Sequence, residues 1–259
     1  MKRILILSNH SFMLWQFRRE LIQTMLQSGM EVTLGVPFGD HIEDFRALGC
    51  KLIDIPVDRR GINPVRDLRL FRQYRDLLKT EKPDMVVTYS IKPNIYGGIV
   101  CRLRKIPCAV NITGLGTAFQ NRGALRRLVT ILYKTALKKA KVVFFENAEN
   151  MGTLLDEGIV KETQCCLLNG AGVNTDRYAL KPYPSEDTPV RFLFMGRVMR
   201  EKGIDELFAA MERLVGEGYS CELDVLGYYE EDYKEKIDSF VQRGWLRYHG
   251  FQREVTPFI

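Results

Sequence analysis

A short loop near residue 200 carries two cations that could bind a diphosphate together. The loop is Gly196-Arg197-Val-Met-Arg-Glu-Lys202-Gly203, and it joins a predicted strand to a predicted helix. The guanidinium fork of Arg197 and the point charge of Lys202 suit the two phosphates of such a group. Gly196 permits a tight turn at the end of the strand. An exposed loop of mixed charge would carry the same residues, so the loop alone leaves both interpretations open.

A second group of polar residues follows the first predicted strand, in the loop Ser8-Asn9-His10-Ser11. Open parallel sheets bind ligands at the carboxyl ends of their strands, so Ser8, Asn9 and His10 are candidate ligand contacts. A solvent-facing loop histidine is an equally good interpretation of His10. The loop contains no glycine, whereas dinucleotide-binding enzymes need a glycine-rich turn at this place. This argues against a Rossmann-type NAD enzyme.

Two further strand ends carry candidate anion-binding residues. Lys92 and Asn94 stand at the start of a predicted helix at 94–104, for which Asn94 is the expected N-cap. A lysine beside free helix N–H groups suits an anionic ligand, although a capped turn with a surface lysine would show the same residues. Gly114 and Gly116 follow the next predicted strand and allow the backbone to approach a phosphate closely.

Strands and helices alternate along the chain, which predicts an α/β fold with parallel sheets covered on both faces. A proline-rich polar segment at 181–189 is the expected linker between a domain at 1–180 and a second domain at 190–259. Three strands are predicted in the second domain, with a helix at 230–242 before the last of them. Three strands leave an unpaired edge and a half-covered core, so this domain is expected to be incomplete.

Composition and charge narrow the functional classes. The chain has 259 residues, of which 46% are hydrophobic and 27% charged, as in ordinary globular proteins. Residues 1–180 hold 27 Lys and Arg against 17 Asp and Glu, and residues 181–259 hold 11 against 15. The first domain is therefore expected to face something anionic. No apolar run approaches the roughly 18 residues of a membrane-spanning helix, and the six cysteines show no metal-binding spacing.

A predicted helix at 123–139 has a basic side. Four cations share one face of its helical wheel: Arg126, Arg127, Lys134 and Lys138. The opposite face carries apolar residues: Leu125, Leu128, Val129, Ile131, Leu132 and Ala136. Together with a row of arginines on a predicted helix at 64–80, this face could rest on anionic lipid at roughly 1 kcal/mol per cation, although solvated helix faces are the usual outcome. No nucleic-acid-binding motif accompanies them, so nucleic acid is not an expected partner.

Five segments in register resemble one family of enzymes. Gly196 to Leu207 is similar to the GRxxxEKGxxxL signature of family 4 glycosyltransferases, whose GT-B fold consists of two Rossmann-like, doubly wound domains. Four more segments resemble a branch that builds capsule, O-antigen and exopolysaccharide units and includes N-acetylgalactosaminyltransferases acting on undecaprenyl-diphosphate-linked sugars. They are Thr88–Gly98, Asn111–Phe119, Phe145–Asn147 and Asn169–Tyr178. The resemblance covers the whole chain, 1 to 259.

This resemblance implies a retaining glycosyltransferase that needs no metal ion or other cofactor. A nucleotide-sugar, usually a UDP-sugar, would bind between the domains, where Arg197 and Lys202 neutralise its diphosphate as it leaves. Gly196 and the Gly114–Gly116 turn would also face this donor. The acceptor would be a polyprenyl-diphosphate-linked sugar, and the residues facing it would be Ser8, Asn9, His10, Lys92 and Asn94.

Such an acceptor implies a protein of the cytoplasm that works on the inner face of the cell membrane, with the basic side of the 123–139 helix on anionic lipid. Two features depart from the family pattern. Many members have a histidine where this chain has Thr113, so the role of that histidine is not transferred. The family's E-x7-E segment, which binds the donor sugar and ribose, is expected beyond residue 259, so we expect a C-terminally truncated chain with little activity of its own.

Two other functions fit parts of the pattern. A sugar-nucleotide 2-epimerase of the GT-B fold would need carboxylates and histidines in its cleft, and the chain has only His10, His41 and His249. A non-catalytic, membrane-docked binding module of a polysaccharide assembly complex would keep the basic helices but bind UDP-sugars weakly. A titration with the donor separates this module from an intact enzyme.

Overall fold

The computed structural model of the chain divides into two compact units, Met1–Gly172 and Val173–Ile259. It describes residues 1–58, 63–116, 119, 123–183, 185 and 188–259. Residues 173–180, which the sequence assigns to the end of the first domain, group with the second unit. Three residues of the predicted linker, at 184, 186 and 187, lie outside the described residues.

The first unit alternates strands and helices along its length. Its strands are β1 (Arg3–Leu7), β2 (Glu31–Val36), β3 (Lys51–Asp54), β4 (Met85–Tyr89), β5 (Cys108–Ile112), β6 (Val142–Phe145) and β7 (Cys165–Leu167). Its helices are α1 (Ser11–Gln27), α2 (Ile42–Ala47), α3 (Pro64–Glu81), α4 (Gly98–Arg104), α5 (Ala124–Leu137) and α6 (Ala148–Asp156). The strands form one parallel sheet in the order β3-β2-β1-β4-β5-β6-β7. This confirms the predicted α/β fold.

Local sequence explains where α3 begins, but not where α1 begins. Asn63 caps α3, because its side chain accepts hydrogen bonds from the backbone N–H groups of Val65 and Arg66, each at 3.1 Å. Pro64 follows at the first helical position, where its missing N–H costs nothing. Helix α1 begins at Ser11, four residues before the predicted start at Trp15. The loop between β1 and α1 is therefore only three residues long.

Apolar clusters cover both faces of the seven-stranded sheet. On one face, side chains of α3, α4, α5 and α6 pack against Leu5, Leu7 and Val110 of the strands. On the other face, α1 and α2 pack against Ile6 and Leu34. Strands buried on both faces read as continuous apolar runs, which is the pattern that Ile4–Leu7 of β1 shows. The prediction of a sheet covered on both sides is confirmed for this unit.

The second unit contains a three-stranded parallel sheet in the order β10-β9-β8. Its strands are β8 (Val190–Met195), β9 (Cys221–Leu226) and β10 (Leu246–Gly250), and its helices are α7 (Ile204–Gly216) and α8 (Lys234–Gln242). One face of the sheet packs on the two helices through Phe208, Leu223, Val225, Ile237 and Phe240. Helix α8 begins at Lys234, four residues after the predicted start, so the loop after β9 is longer than the sequence suggested.

The other face of this small sheet carries charged side chains. The Oδ2 of Asp224 lies 2.6 Å from a guanidinium nitrogen of Arg191, and its Oδ1 lies 2.6 Å from the Nε2 of His249. Burial alone would raise the pKa of Asp224, but the hydrogen bonds from His249 and Arg191 outweigh it and hold that pKa below its ordinary value. A second cross-strand pair joins Arg247 to Glu222 at 2.8 Å. The two faces of the sheet therefore differ in character, one apolar and one ionic.

Candidate functional site

The two candidate loops of the first unit meet where its strand order reverses. β1 pairs with β2 on one side and with β4 on the other, and the strand numbers rise in both directions from this point. Doubly wound sheets bind ligands beyond the carboxyl ends of the strands at such a reversal. The Oγ of Ser90, directly after β4, donates to the Oδ1 of Asn9, two residues after β1, at 2.7 Å. The structure thus brings the Ser8–His10 loop beside the segment that leads to Lys92.

Two local features distinguish the loops at this junction. Ser90 lies in the left-handed region at φ 75°, which costs a non-glycine residue on the order of 1 kcal/mol and persists where the surrounding structure enforces it. The Oγ of Ser8 is buried and accepts a hydrogen bond from the backbone N–H of His10 at 3.3 Å. Ser8 therefore shapes the loop from inside. Asn9 and His10 are partly exposed just before α1 and are placed where a ligand can reach them.

The ammonium group of Lys92 is paired with a carboxylate. Its Nζ lies 2.8 Å from the Oδ1 of Asp67 on α3, and the two side chains are only 15% and 10% exposed. Burial raises the pKa of Tyr96, and the carboxylate of Asp67 beside its hydroxyl raises that pKa further. Because an ammonium group has three N–H donors, one carboxylate leaves donors for a second partner. Lys92 is thus a positioned, largely covered cation and not a solvent-exposed surface lysine.

Asn94 does not cap a helix, so the prediction from its position is wrong on this point. Residues Pro93–Gly97 form a π-helical turn that continues into α4, and Asn94 lies inside it with 1% of its surface exposed. Its Nδ2 donates to the backbone carbonyl of Asn111, in β5, at 2.8 Å. Asn94 therefore ties the start of α4 to the neighbouring strand from the interior of the fold. In this position it supports the loop that carries Lys92.

The glycine segment after β5 packs against the loop after β4. Gly116 has φ 67°, and a Cβ at this position would lie 2.7 Å from the Cδ1 of Ile91. The positive φ favours glycine here, whereas the Cδ1 of Ile91 is the end of a flexible side chain that can move aside. A Cβ at Gly114 would meet no described atom within 4 Å, so the backbone is open there. The close approach expected of a phosphate suits Gly114, whereas Gly116 serves the contact between two loops. Residues 117 and 118 of this segment lie outside the described residues.

In the second unit, the loop after β8 runs beside the loop after β9. The backbone N–H of Val198 donates to the carbonyl of Tyr228 at 3.0 Å, and the N–H of Glu230 donates to the carbonyl of Val198 at 3.1 Å. At the start of both loops, Gly196 and Gly227 touch. A Cβ at Gly227, which has φ 145°, would lie 1.7 Å from the carbonyl oxygen of Gly196. The two loops therefore form one connected structure at the carboxyl end of the sheet.

Arg197 and Lys202 both stand on this pair of loops. The Nη1 of Arg197 lies 3.7 Å from the Oε2 of Glu230, and the side chain of Arg197 is 41% exposed. Lys202 ends a 3-10 turn at Arg200–Lys202, is exposed, and has no ion pair within the part of the chain that the structure describes. The same part of the chain contains no cluster of His, Cys, Asp or Glu suited to a metal ion. The loop thus offers two accessible cations on a short, structured segment.

Glu230 and Glu231 belong to this site, and the sequence did not reveal them. The prediction placed both in a helix from residue 230, whereas α8 begins at Lys234 and leaves them in the loop. The Oε2 of Glu231 accepts a hydrogen bond from the backbone N–H of Arg200 at 2.9 Å. One signal could have found them, because Gly227 follows β9 as Gly196 follows β8. The pairing of Lys92 with Asp67 had no such signal, since the two residues lie on different elements.

The exposed face of α5 differs from the predicted one. Leu125, Leu128 and Ile131 are exposed, and Ile131 reaches 61%. Arg126 turns toward the protein, where its Nη2 lies 2.7 Å from the Oε1 of Glu157. The face that remains in solvent therefore combines three apolar side chains with three cations, which are Arg127, Lys134 and Lys138. The helical wheel gives the neighbours on each face, but it does not tell which residues the core of the unit will bury.

Two similar proteins are bacterial enzymes that transfer sugars. An N,N'-diacetylbacillosaminyl-diphospho-undecaprenol alpha-1,3-N-acetylgalactosaminyltransferase of Campylobacter jejuni is 23% identical over 273 aligned positions, which cover 99% of this chain and 72% of that protein. A UDP-Gal:alpha-D-GlcNAc-diphosphoundecaprenol alpha-1,3-galactosyltransferase of Escherichia coli is 34% identical over 98 residues, 38% of this chain and 24% of that protein.

A solved structure shares the fold. Anabaena HepE in complex with UDP-glucose aligns over all of this chain and 71% of its own, with a TM-score of 0.74 and 14% sequence identity. This likeness supports the GT-B architecture that the sequence motifs predict. The described helices include none with the length and hydropathy needed to cross a bilayer. A family model for "Glycosyl transferase 4-like" proteins matches residues 3–147, more than half of the chain. The chain therefore belongs to the glycosyl transferase 4-like family.

Proposed function

We propose that this glycosyltransferase moves a sugar from a nucleotide-sugar, with UDP as its nucleotide, to a polyprenyl-diphosphate-linked saccharide during synthesis of a bacterial surface polysaccharide. The observation that carries the proposal is the loop after β8, where Arg197 and Lys202 stand exposed on a structured segment. The names of the two bacterial relatives indicate the acceptor class, and the name of one of them includes a UDP-sugar.

In the proposed reaction, these two cations stabilise the leaving group. The bond between the anomeric carbon and the diphosphate oxygen breaks, a bond to an acceptor hydroxyl oxygen forms with retained configuration, and the hydroxyl proton is released. Negative charge then grows on the diphosphate, and Arg197 and Lys202 stabilise it by charge and hydrogen bonding. Two fixed cations can fill the role that a metal ion fills in other diphosphate sites, so we propose a reaction without a metal or other cofactor.

The acceptor is assigned to the loops at the strand reversal of the first unit. Asn9 and His10 offer polar atoms there, and Lys92 adds a positive charge. Asp67 holds the lysine in place, and the covered ammonium group would act on a diphosphate of the acceptor through its charge. Gly114 lies at the next strand end, where its open backbone allows a phosphate or sugar to come close.

We assign the membrane surface to α5, and we propose that the protein works on the cytoplasmic face of the cell membrane. Its exposed Leu125, Leu128 and Ile131 can enter the headgroup region, while the cations beside them meet anionic lipid. Arg126 is left out of this surface, because Glu157 already neutralises it. The surface proposed here is thus both apolar and basic, in place of the purely basic face that the sequence suggested.

Titration with UDP tests the donor assignment. Replacing Arg197 by Ala removes a charge-assisted hydrogen bond, so we expect the Kd for UDP to rise about tenfold, and a comparable rise for Lys202→Ala. Arg213→Ala is the matched control, since Arg213 lies on the same unit with only an exposed partner, Glu217, one helical turn away. Unchanged UDP binding by both Arg197→Ala and Lys202→Ala would refute the diphosphate site.

Sedimentation with liposomes tests the membrane surface. A variant with Leu125, Leu128 and Ile131 changed to Ser is expected to leave vesicles of anionic lipid already at moderate salt, because only the screened electrostatic attraction remains. Charge reversal of three exposed cations of the second unit is the control, at Arg213, Lys234 and Arg243. If the serine variant sediments as well as the unchanged protein, α5 is not the surface that meets lipid.

A further inference from the structure

The loop after β9 gives the donor site a second element. We propose that Glu230 and Glu231 are positioning residues that hold Arg197 and the turn carrying Lys202 where a diphosphate binds. This inference rests on the proposed function, because it assumes that the two cations bind the donor diphosphate. It adds two carboxylates that neither the sequence motifs nor the named relatives point to.

The backbone of the two loops supplies the frame. Val198 donates to Tyr228 at 3.0 Å and accepts from Glu230 at 3.1 Å, so the residue after Arg197 is bonded on both sides to the loop after β9. Gly227 lies against the carbonyl of Gly196 with no space for a side chain. The backbone of Arg197 is therefore fixed relative to Glu230, and only the side chain of the arginine remains to be ordered.

Glu230 orders that side chain. Its own side chain is 9% exposed, and its Oε2 lies 3.7 Å from the Nη1 of Arg197, whose side chain is 41% exposed. A buried carboxylate on a fixed backbone attracts the guanidinium from one defined position. An arginine side chain that is already oriented loses less conformational entropy when a ligand binds. The contact engages one edge of the guanidinium, and a planar group with five N–H donors has others for a phosphate.

Glu231 orders the second cation through the backbone. Its Oε2 accepts from the N–H of Arg200 at 2.9 Å, at the first residue of the turn Arg200–Lys202. The N–H of Lys202 donates in turn to the carbonyl of Met199 at 3.1 Å. Capping the first N–H of a turn satisfies a group that would otherwise be left without an internal partner. Two adjacent carboxylates thus act on the two halves of one cationic loop.

A carboxylate near a bound diphosphate has a second, opposite effect, because like charges repel. If charge alone mattered, Glu230→Gln would bind UDP more tightly, since the substitution removes a negative charge at almost constant shape. If positioning dominates, the same substitution weakens UDP binding, and it does so only while Arg197 is present. The sign and the dependence on Arg197 therefore distinguish the two effects.

A double-mutant cycle with UDP as the probe tests the inference. We expect Glu230→Gln to raise the Kd about fivefold in the unchanged protein and to have almost no effect in Arg197→Ala, because the two residues act through one contact. Glu212→Gln is the matched control, since Glu212 of α7 pairs with Arg243, directly after α8, at 2.7 Å. Glu231→Ala is expected to weaken UDP binding with Arg197 present or absent, since it acts on the Lys202 turn.

Each other outcome has a definite meaning. Unchanged or tighter UDP binding by Glu230→Gln overturns the inference, and so does equal weakening in both backgrounds, which would indicate a general structural role. Thermal unfolding of each variant shows whether the second unit is intact, and the exposed Glu231 provides a variant that keeps its fold if Glu230→Gln does not. A normal UDP affinity of both Arg197→Ala and Lys202→Ala would instead refute the proposed function on which the inference rests.

Discussion

The two units hold their functional loops by different means. In the first unit a seven-stranded sheet is packed on both faces, and the buried pair of Lys92 with Asp67 lies beside that packing. In the second unit a three-stranded sheet is packed through one apolar face, and Arg197 is held by contacts between two loops. The difference indicates that the residues proposed to contact the acceptor depend on the core, whereas those proposed to contact the donor depend on loop-to-loop bonds.

The sharpest test of this contrast is Gly227→Ala. A Cβ here would collide with the carbonyl of Gly196 at 1.7 Å, and the backbone has φ 145°. Because the Cβ is fixed rigidly to the Cα and the oxygen belongs to the backbone of Gly196, neither atom can move aside alone. The loops must therefore separate, and we expect a loss of about 4 kcal/mol in the unfolding free energy of the second unit. Gly216→Ala, at the end of α7 with open space around it, is the control and should be nearly neutral. Chemical denaturation measures both.

The second test breaks the ion pair of the first unit. Asp67→Ala leaves the ammonium of Lys92 covered and without its carboxylate, so we expect a loss of about 3 kcal/mol in the unfolding free energy. The double variant Asp67→Ala with Lys92→Met should recover most of this loss, because the uncompensated charge is gone. Equal stability of the single and double variants would show that the pair contributes by packing and not by charge.

The third and smallest test concerns the ionic face of the second unit. The folded-state pKa of Asp224 lies below its ordinary value of 3.8, so its carboxylate stabilises the fold above that pH and the contribution is lost as the pH falls through the folded-state pKa. Replacing Asp224 by Asn should therefore flatten the acid side of the stability curve, by about 1 kcal/mol or less because Arg191 is exposed. Thermal unfolding measured between about pH 6 and about pH 3, a range that includes the ordinary pKa of an aspartate, checks this prediction.

The sequence alone predicted the architecture well, because local residue patterns determine where most strands and helices lie. The apolar run at Ile4–Leu7 and the helix start at Pro64 are each decided within a few residues. The sequence also placed Asn9 and Lys92 at strand ends, and the parallel sheet then brings these ends to one edge. Such predictions need only the period of the pattern and the position of its end.

The details that failed depend on partners distant in sequence. Which face of α5 is buried depends on the sheet and on Glu157, so the exposure of Ile131 was not foreseen. The first turn expected for α8 is replaced by a loop, because Glu230 and Glu231 bond to the neighbouring loop instead of continuing a helix. Asn94 is a buried donor to Asn111 and not a cap for the same kind of reason.

The hydrogen bonds that join the loops after β8 and β9 also have a kinetic consequence. Because Val198 is bonded in both directions, the segment around Arg197 cannot swing as an independent flap over a ligand. This segment should therefore need no rearrangement of its own when a ligand arrives. The amide protons of Val198 and Glu230 should then exchange with solvent at rates set by opening of the whole second unit.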